Sequence, residues 1–115
     1  MKQSLEPTNG RCSAVVSDGL VYAVATDPVC AVGIADQTRN TLQDLERLLV
    51  AAGSGKPGLL QATVYLSDVT EKPAMDTVWR EWIGPAENWP QRACVGVDLD
   101  AGYLIEVVVV AKVLT

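Results

Sequence analysis

The chain has no histidine. That one absence excludes Ser-His-Asp and Cys-His triads, histidine-ligated zinc and imidazole acid–base catalysis. Any chemistry falls to carboxylates, guanidinium groups, thiols, hydroxyls, backbone groups or water. Cysteine is scarce: Cys12, Cys30 and Cys94 form an odd set with no Cys-x-x-Cys pair. Such a set argues against both a disulfide framework and a structural zinc site. Basic clusters are missing too. Lys2, Arg11, Arg39, Arg47, Lys56, Lys72, Arg80, Arg92 and Lys112 are dispersed along a chain of net charge −5. Nucleic-acid binding needs a concentrated positive footprint to displace counterions, so a dedicated DNA or RNA binder is disfavoured. No apolar run approaches the roughly 18 residues of a membrane span, and no secretory leader pattern opens the chain. The expectation is a soluble, cytoplasmic protein with reduced thiols and no membrane partner.

What is present is ample core material. At 115 residues and 49% hydrophobic content the sequence suits one domain, residues 1–115. Ser13–Val16 and Leu20–Ala25 flank Asp18-Gly19, a strong hairpin signal. Residues 26–35 read as a loop. Asp36 is placed to cap a helix over 37–52, with Leu42, Leu45, Leu48, Leu49 and Ala52 on one stripe. Gly53 is placed to stop it. Leu59–Leu66 reads as a strand, and Pro73–Ile83 as a second helix with Met75, Val78, Trp79, Trp82 and Ile83 on its apolar face. Two further strands start near Arg92 and Leu104. The order is ββαβαββ, an α+β arrangement of one sheet with two helices on one face. The other face is left to cover, which points to a homo-oligomer.

The last quarter holds the best sign of chemistry. Leu104–Ala111 is a near-continuous apolar run interrupted by one carboxylate, Glu106. Such a run reads as a strand covered on both faces, where an ionised Glu is costly without a partner. Arg92 and Cys94 lie two residues apart on the preceding strand and share a face. If the two strands are neighbours, Arg92 and Glu106 converge on one pocket. Cys94 is either a small buried hydrophobe or part of that pocket's lining.

Several segments in order resemble the RidA/YjgF family of reactive imine and enamine deaminases, formerly described as translation inhibitors or endoribonucleases. They are Arg11–Val16 with Val21-Tyr22, Gln37–Leu42, Leu48-Leu49 to Gly53, Leu60–Asp68, Met75–Trp79 with Trp82, Pro90–Val95, and Ile105–Val107 with Ala111. Each is weak alone; their order and spacing carry the resemblance across nearly the whole chain. It implies a chorismate-mutase-like fold and a homotrimer with clefts between subunits. It also implies hydrolysis of 2-imino acids to 2-keto acids and ammonia without metal or cofactor.

At the matching positions, Arg92 would fork onto a small-molecule carboxylate and Glu106 would orient water. Backbone groups near Cys94 would position the imine. The alternative is an Arg92–Glu106 salt bridge that only fixes a subunit interface. Three departures stand out. Ala25-Thr26 replaces a Gly-Gln pair frequent in the family, and Val108 stands where a second acid is common. Arg11 or Cys12 stands where the familiar deaminases have a tyrosine. Arg11 is either a solvated cation or a second positive group in the cleft, which would favour dicarboxylate substrates. Three functions remain open: imine deaminase, non-catalytic carboxylate-binding trimer, and ribonuclease. The lack of histidine and the acidic charge weigh against the last.

Overall fold

The computed structural model describes residues 2–115. Six strands form one mixed sheet: Gln3–Thr8 (β1), Arg11–Ser17 (β2), Leu20–Ala25 (β3), Leu59–Leu66 (β4), Gln91–Gly96 (β5) and Ile105–Lys112 (β6). Their spatial order is β1-β2-β3-β6-β4-β5. Neighbours are antiparallel except β4 and β5, which run parallel around the helix Lys72–Ile83 (α2). The longer helix, Ile34–Ala51 (α1), joins β3 to β4. The α+β class read from the sequence holds, with one strand more than expected.

That extra strand is β1. Asn9 and Gly10 have φ of 50° and 82°, and Asp18 and Gly19 have 52° and 77°. Both pairs have the two positive φ values that a tight hairpin turn of matching twist requires. The Asn-Gly signal was in the sequence, but Gln3–Thr8 has one large apolar residue, Leu5, and carries Glu6 and Pro7. A proline is tolerated there because β1 is an edge strand, with one side free of ladder bonds.

Helix α1 starts three residues before the expected position. Gly33, at φ 88°, occupies the N-cap without a side-chain cap bond. Asp36 is in the first turn instead, 2.8 Å from Arg39. Its carboxylate still suits the positive end of the helix. The C-terminus behaves as read: Gly53, at φ 85°, follows the cap, and Ser54 and Gly53 donate backbone N–H bonds to Leu49 and Val50. That pair of bonds is a Schellman closure. Leu42, Leu45, Leu48 and Leu49 are essentially buried on the sheet. Each contributes roughly 1.5–3 kcal/mol, so packing outweighs the ~1 kcal/mol of the missing cap.

The register separates the two faces. Ile105, Val107, Val109 and Ala111 of β6 are buried under the helices, with Ala62, Val64, Leu66, Val21, Ala23 and Ala14 beside them. Glu106, Val108 and Val110 occupy the opposite face and are only half-buried. Within one copy β6 is therefore covered on one face, not on both as its composition suggested. Tyr22, at 46% exposure, and half-buried Val15 and Val24 extend that open apolar surface. No helix among the described residues is long and apolar enough to cross a membrane.

Gly58, just before β4, lies against the end of β6. A Cβ there would come within 2.6 Å of the Lys112 carbonyl oxygen and 2.5 Å of the Ser54 hydroxyl. Gly58→Ala should lower stability by about 1–3 kcal/mol in urea denaturation, since backbone must move to admit a methyl. An unchanged midpoint would show that this junction has room to spare.

Candidate functional site

Glu106 is placed by alternation. Its neighbours Ile105 and Val107 enter the core, so its carboxylate is directed to the open face. There it lines a cavity of about 410 Å³ at the end of β3. Arg11 and Ser13 of β2, Thr26 beyond β3, and Asp100 and Tyr103 from the β5–β6 loop share the cavity with it. Asp44 of α1 closes one side, held 2.9 Å from Arg47, which also grips Glu6 at 2.6 Å. The Glu6 and Asp44 carboxylates push the Arg47 guanidinium above its ordinary value.

Arg92 is elsewhere. Strand β4 lies between β5 and β6, so the two strands are not neighbours. Arg92 pairs with Ala62, whose partner on β6 is Val109, on the helix-covered face. Glu106 pairs with Tyr65 on the open face. The expected convergence of Arg92 and Glu106 does not occur within one chain, nor does a salt bridge between them.

Instead Arg92 reaches α2. Its Nη2 donates to Asp76 Oδ1 at 2.6 Å, and its guanidinium lies 5.1 Å over the Trp79 ring. Lys72 donates to the other oxygen of Asp76 at 2.8 Å. Burial opposes ionisation of Asp76, but the bonds from Lys72 and Arg92 prevail and hold its carboxyl below the ordinary value of 3.8. Trp89 and Arg80 join Trp79 and Arg92 around a shallower cavity of about 240 Å³.

Cys94 shares the Arg92 face, as the two-residue spacing required. It pairs with Val64 and packs, half-buried, against the core. The arrangement suits the small-hydrophobe reading of this thiol. Arg11 does share the Glu106 cavity, but with Asp44, Asp100 and Glu106 rather than with a second guanidinium. The dicarboxylate preference needs two cations in one pocket, and a single chain supplies Arg11 alone there, against three acids.

Sequence reasoning missed Asp76, Asp100, Tyr103 and Asp27. Asp76 follows Met75 on α2 and could have been placed beside a β5 residue only by knowing that β5 is parallel to β4. Asp27 shapes the rim: its buried carboxylate accepts N–H bonds from Val29 and Ala31, both at 2.8 Å, and from the Asn40 amide at 3.1 Å. Burial would raise its pKa, yet these three donors hold it below the ordinary value. Residues 26–35 were legible as a loop, but the capture of Asn40 by Asp27 was not.

With this geometry in hand, comparison with known proteins is direct. The family model described as Endoribonuclease L-PSP matches residues 1–113. A RutC family protein from Haemophilus ducreyi is 27% identical over 111 residues, 95% of this chain and 94% of the relative. RutC family protein YoaB of Escherichia coli K12 is 35% identical over 79 residues, 68% of each chain. A crystal structure of a YjgF family member from Neisseria meningitidis superposes with TM-score 0.94 at 27% identity, covering 100% of this chain and 97% of that one. A Yersinia pestis protein of the Rid family shares the fold, with TM-score 0.89 at 22% identity, covering 98% of this chain and 100% of that one. The chain belongs to the YjgF/RidA family.

Asp76 provides a pH test of the Arg92 environment. Its folded pKa lies below the unfolded one, so its contribution is present above about pH 4 and lost as pH falls through the lower folded value. Asp76→Asn should cost about 1–2 kcal/mol at neutral pH, and the gap from wild type should close towards pH 2. Parallel stability curves from pH 7 to 2 would contradict the ion pair's contribution.

Proposed function

We propose that this protein is a deaminase that hydrolyses reactive 2-imino or enamine carboxylates to 2-keto acids and ammonia, in clefts shared between copies of a trimer. The observation that carries this reading is the separation of Arg92 and Glu106. One copy presents a guanidinium beside its edge strand; the other presents a carboxylate in a cavity on its open face. An open apolar surface and the free side of β5, with Val95 and Val97 exposed, supply a means of bringing the two together. Family membership supports the same assembly, since the resemblance implies clefts between subunits.

In that cleft Arg92 holds the substrate carboxylate through a forked contact, which guanidinium geometry favours. Glu106 from the neighbouring copy accepts a hydrogen bond from water and directs its oxygen at the imine carbon. As the C–O bond forms, the C=N π pair moves to nitrogen and Glu106 takes the water proton. Glu106 returns that proton to nitrogen, then takes the hydroxyl proton of the tetrahedral adduct and passes it to the same nitrogen. The O–H pair becomes the keto C=O as the C–N bond breaks and ammonia leaves. Water supplies the oxygen, and the step needs no electron acceptor. Backbone groups near Cys94 would help position the imine.

A second reading, a trimer that binds small carboxylates without turning them over, draws on the engagement of Arg92 by Asp76. A ligand carboxylate must share or displace that partner. The ribonuclease reading has less support: a net charge of −5 and an acid-lined cavity suit a polyphosphate backbone poorly.

A coupled assay with an imine-generating oxidase separates these readings. Wild type should accelerate keto-acid release, and Arg92→Ala should lose roughly 30-fold or more in kcat/KM, the scale of a desolvated charge-assisted contact. Arg92→Lys should recover little, because it keeps charge but loses the fork. Keto-acid binding without acceleration would favour the binding protein, and equal rates in wild type and Arg92→Ala would remove Arg92 from the chemistry. Light scattering should give a trimer; a stable monomer at micromolar concentration would defeat the shared cleft.

A further inference from the structure

Gln37 is a buried amide with bonds far outside its own helix. Only 1% exposed in the first turn of α1, it spans the two loops that wall the Glu106 cavity. Its Nε2 donates to the Ala31 carbonyl at 2.8 Å and to the Gly102 carbonyl at 2.7 Å. Its Oε1 accepts the Leu104 N–H at 2.9 Å. Two carbonyls need donors and one N–H needs an acceptor, so a carboxamide in one orientation satisfies all three. An ionised glutamate has no donor to offer, and an apolar side chain has neither group.

The loops joined in this way carry functional walls. Thr26 borders the segment 26–33, which Asp27 folds back onto Asn40. Asp100 and Tyr103 come from the segment 97–104. The two segments touch closely: a Cβ on Gly102, at φ 89°, would lie 2.9 Å from the Cys30 sulfur. Leu104, whose N–H is held by Gln37, is two residues before Glu106. We propose that Gln37 is a positioning residue whose carboxamide clamps the 26–33 loop to the 97–104 loop and so fixes the cavity walls around Glu106. The kinetic consequence rests on the deaminase reading; the clamp itself does not.

Gln37→Glu tests the clamp because the substitution keeps shape and makes one bond set titratable. Protonated, the carboxyl can donate to one carbonyl and accept from Leu104. Ionised, it faces two carbonyl oxygens without a proton, so its pKa should rise above the ordinary glutamate range. Amide exchange protection over residues 98–104 should lie closer to wild type near pH 5, where one donor remains, and fall about tenfold further by pH 8, the scale of a lost hydrogen bond. The titratable groups around the clamp are the Cys30 thiol, 3.8 Å from Nε2, Asp27 on the same loop, Asp36 on α1, and Asp100 and Tyr103 on the facing segment. Wild type keeps them all, so the ratio of variant to wild type removes their effect.

The ratio of the variant's KM to that of wild type should be smallest near pH 5 and rise about tenfold by pH 8 as the walls loosen. Gln37→Leu, which loses all three bonds at every pH, should show low protection that does not titrate. Unchanged protection over 98–104 in both variants, with melting confirming a fold, would overturn the clamp. Loosened loops with an unaltered KM ratio would overturn its positioning role. If wild type turns over no imine, the deaminase reading fails, while the exchange data still decide whether the clamp exists.

Discussion

Everything functional in this chain depends on the two-residue alternation of the sheet. Alternation sends Arg92 under the helices and Glu106 to the open face, with β4 between their strands. A one-residue slip of β6 would put Glu106 into the core among Leu42, Leu45 and Met75, and expose four apolar side chains in exchange. The buried set Ile105, Val107, Val109 and Ala111 makes that slip costly, so the position of Glu106 is a consequence of core packing. The same alternation prevents one copy from completing a site that needs both groups.

The helices contribute rigidity to one half of that site and leave the other half to loops. Helix α2 holds Arg92 through Asp76 and Trp79, which fixes the position of the guanidinium. The Glu106 side receives only Asp44 of α1 from a helix. Its cavity is shaped by segments 26–33 and 97–104, which depend on buried polar groups, Asp27 and Gln37, rather than on apolar packing. Buried polar networks fix a single geometry when fully satisfied: the Asp27 carboxylate accepts three bonds, and the Gln37 amide both donates and accepts.

Local signals in the sequence matched local features well. The leucine stripe of α1, the Gly53 stop, the Asp18-Gly19 hairpin and the shared face of Arg92 and Cys94 each follow from spacing a few residues long. What spacing did not convey was strand order. The chain runs from β5 directly to β6, which invites pairing them, yet β4 inserts between, hydrogen-bonded in parallel to β5 and antiparallel to β6. That one insertion separated Arg92 from Glu106 within the chain and gave Arg92 a different partner, Asp76. Strand β1 was missed for another reason: an edge strand has little to bury, so Glu6 and Pro7 hid the Asn9-Gly10 turn. Arg11 was legible as a cation near the cleft, but the acids around it came from α1 and a distant loop.

The shared cleft is tested most directly by mixing two inactive copies. Arg92→Ala and Glu106→Gln chains, carrying different affinity tags, are co-expressed and purified through both tags. In a cyclic trimer of mixed copies, one cleft in about three draws Arg92 from one intact source and Glu106 from the other. The account predicts that mixed assemblies regain close to a third of wild-type deaminase activity while each parent alone has almost none. Mixed assemblies as inactive as their parents would contradict a site built from Arg92 of one copy and Glu106 of the next.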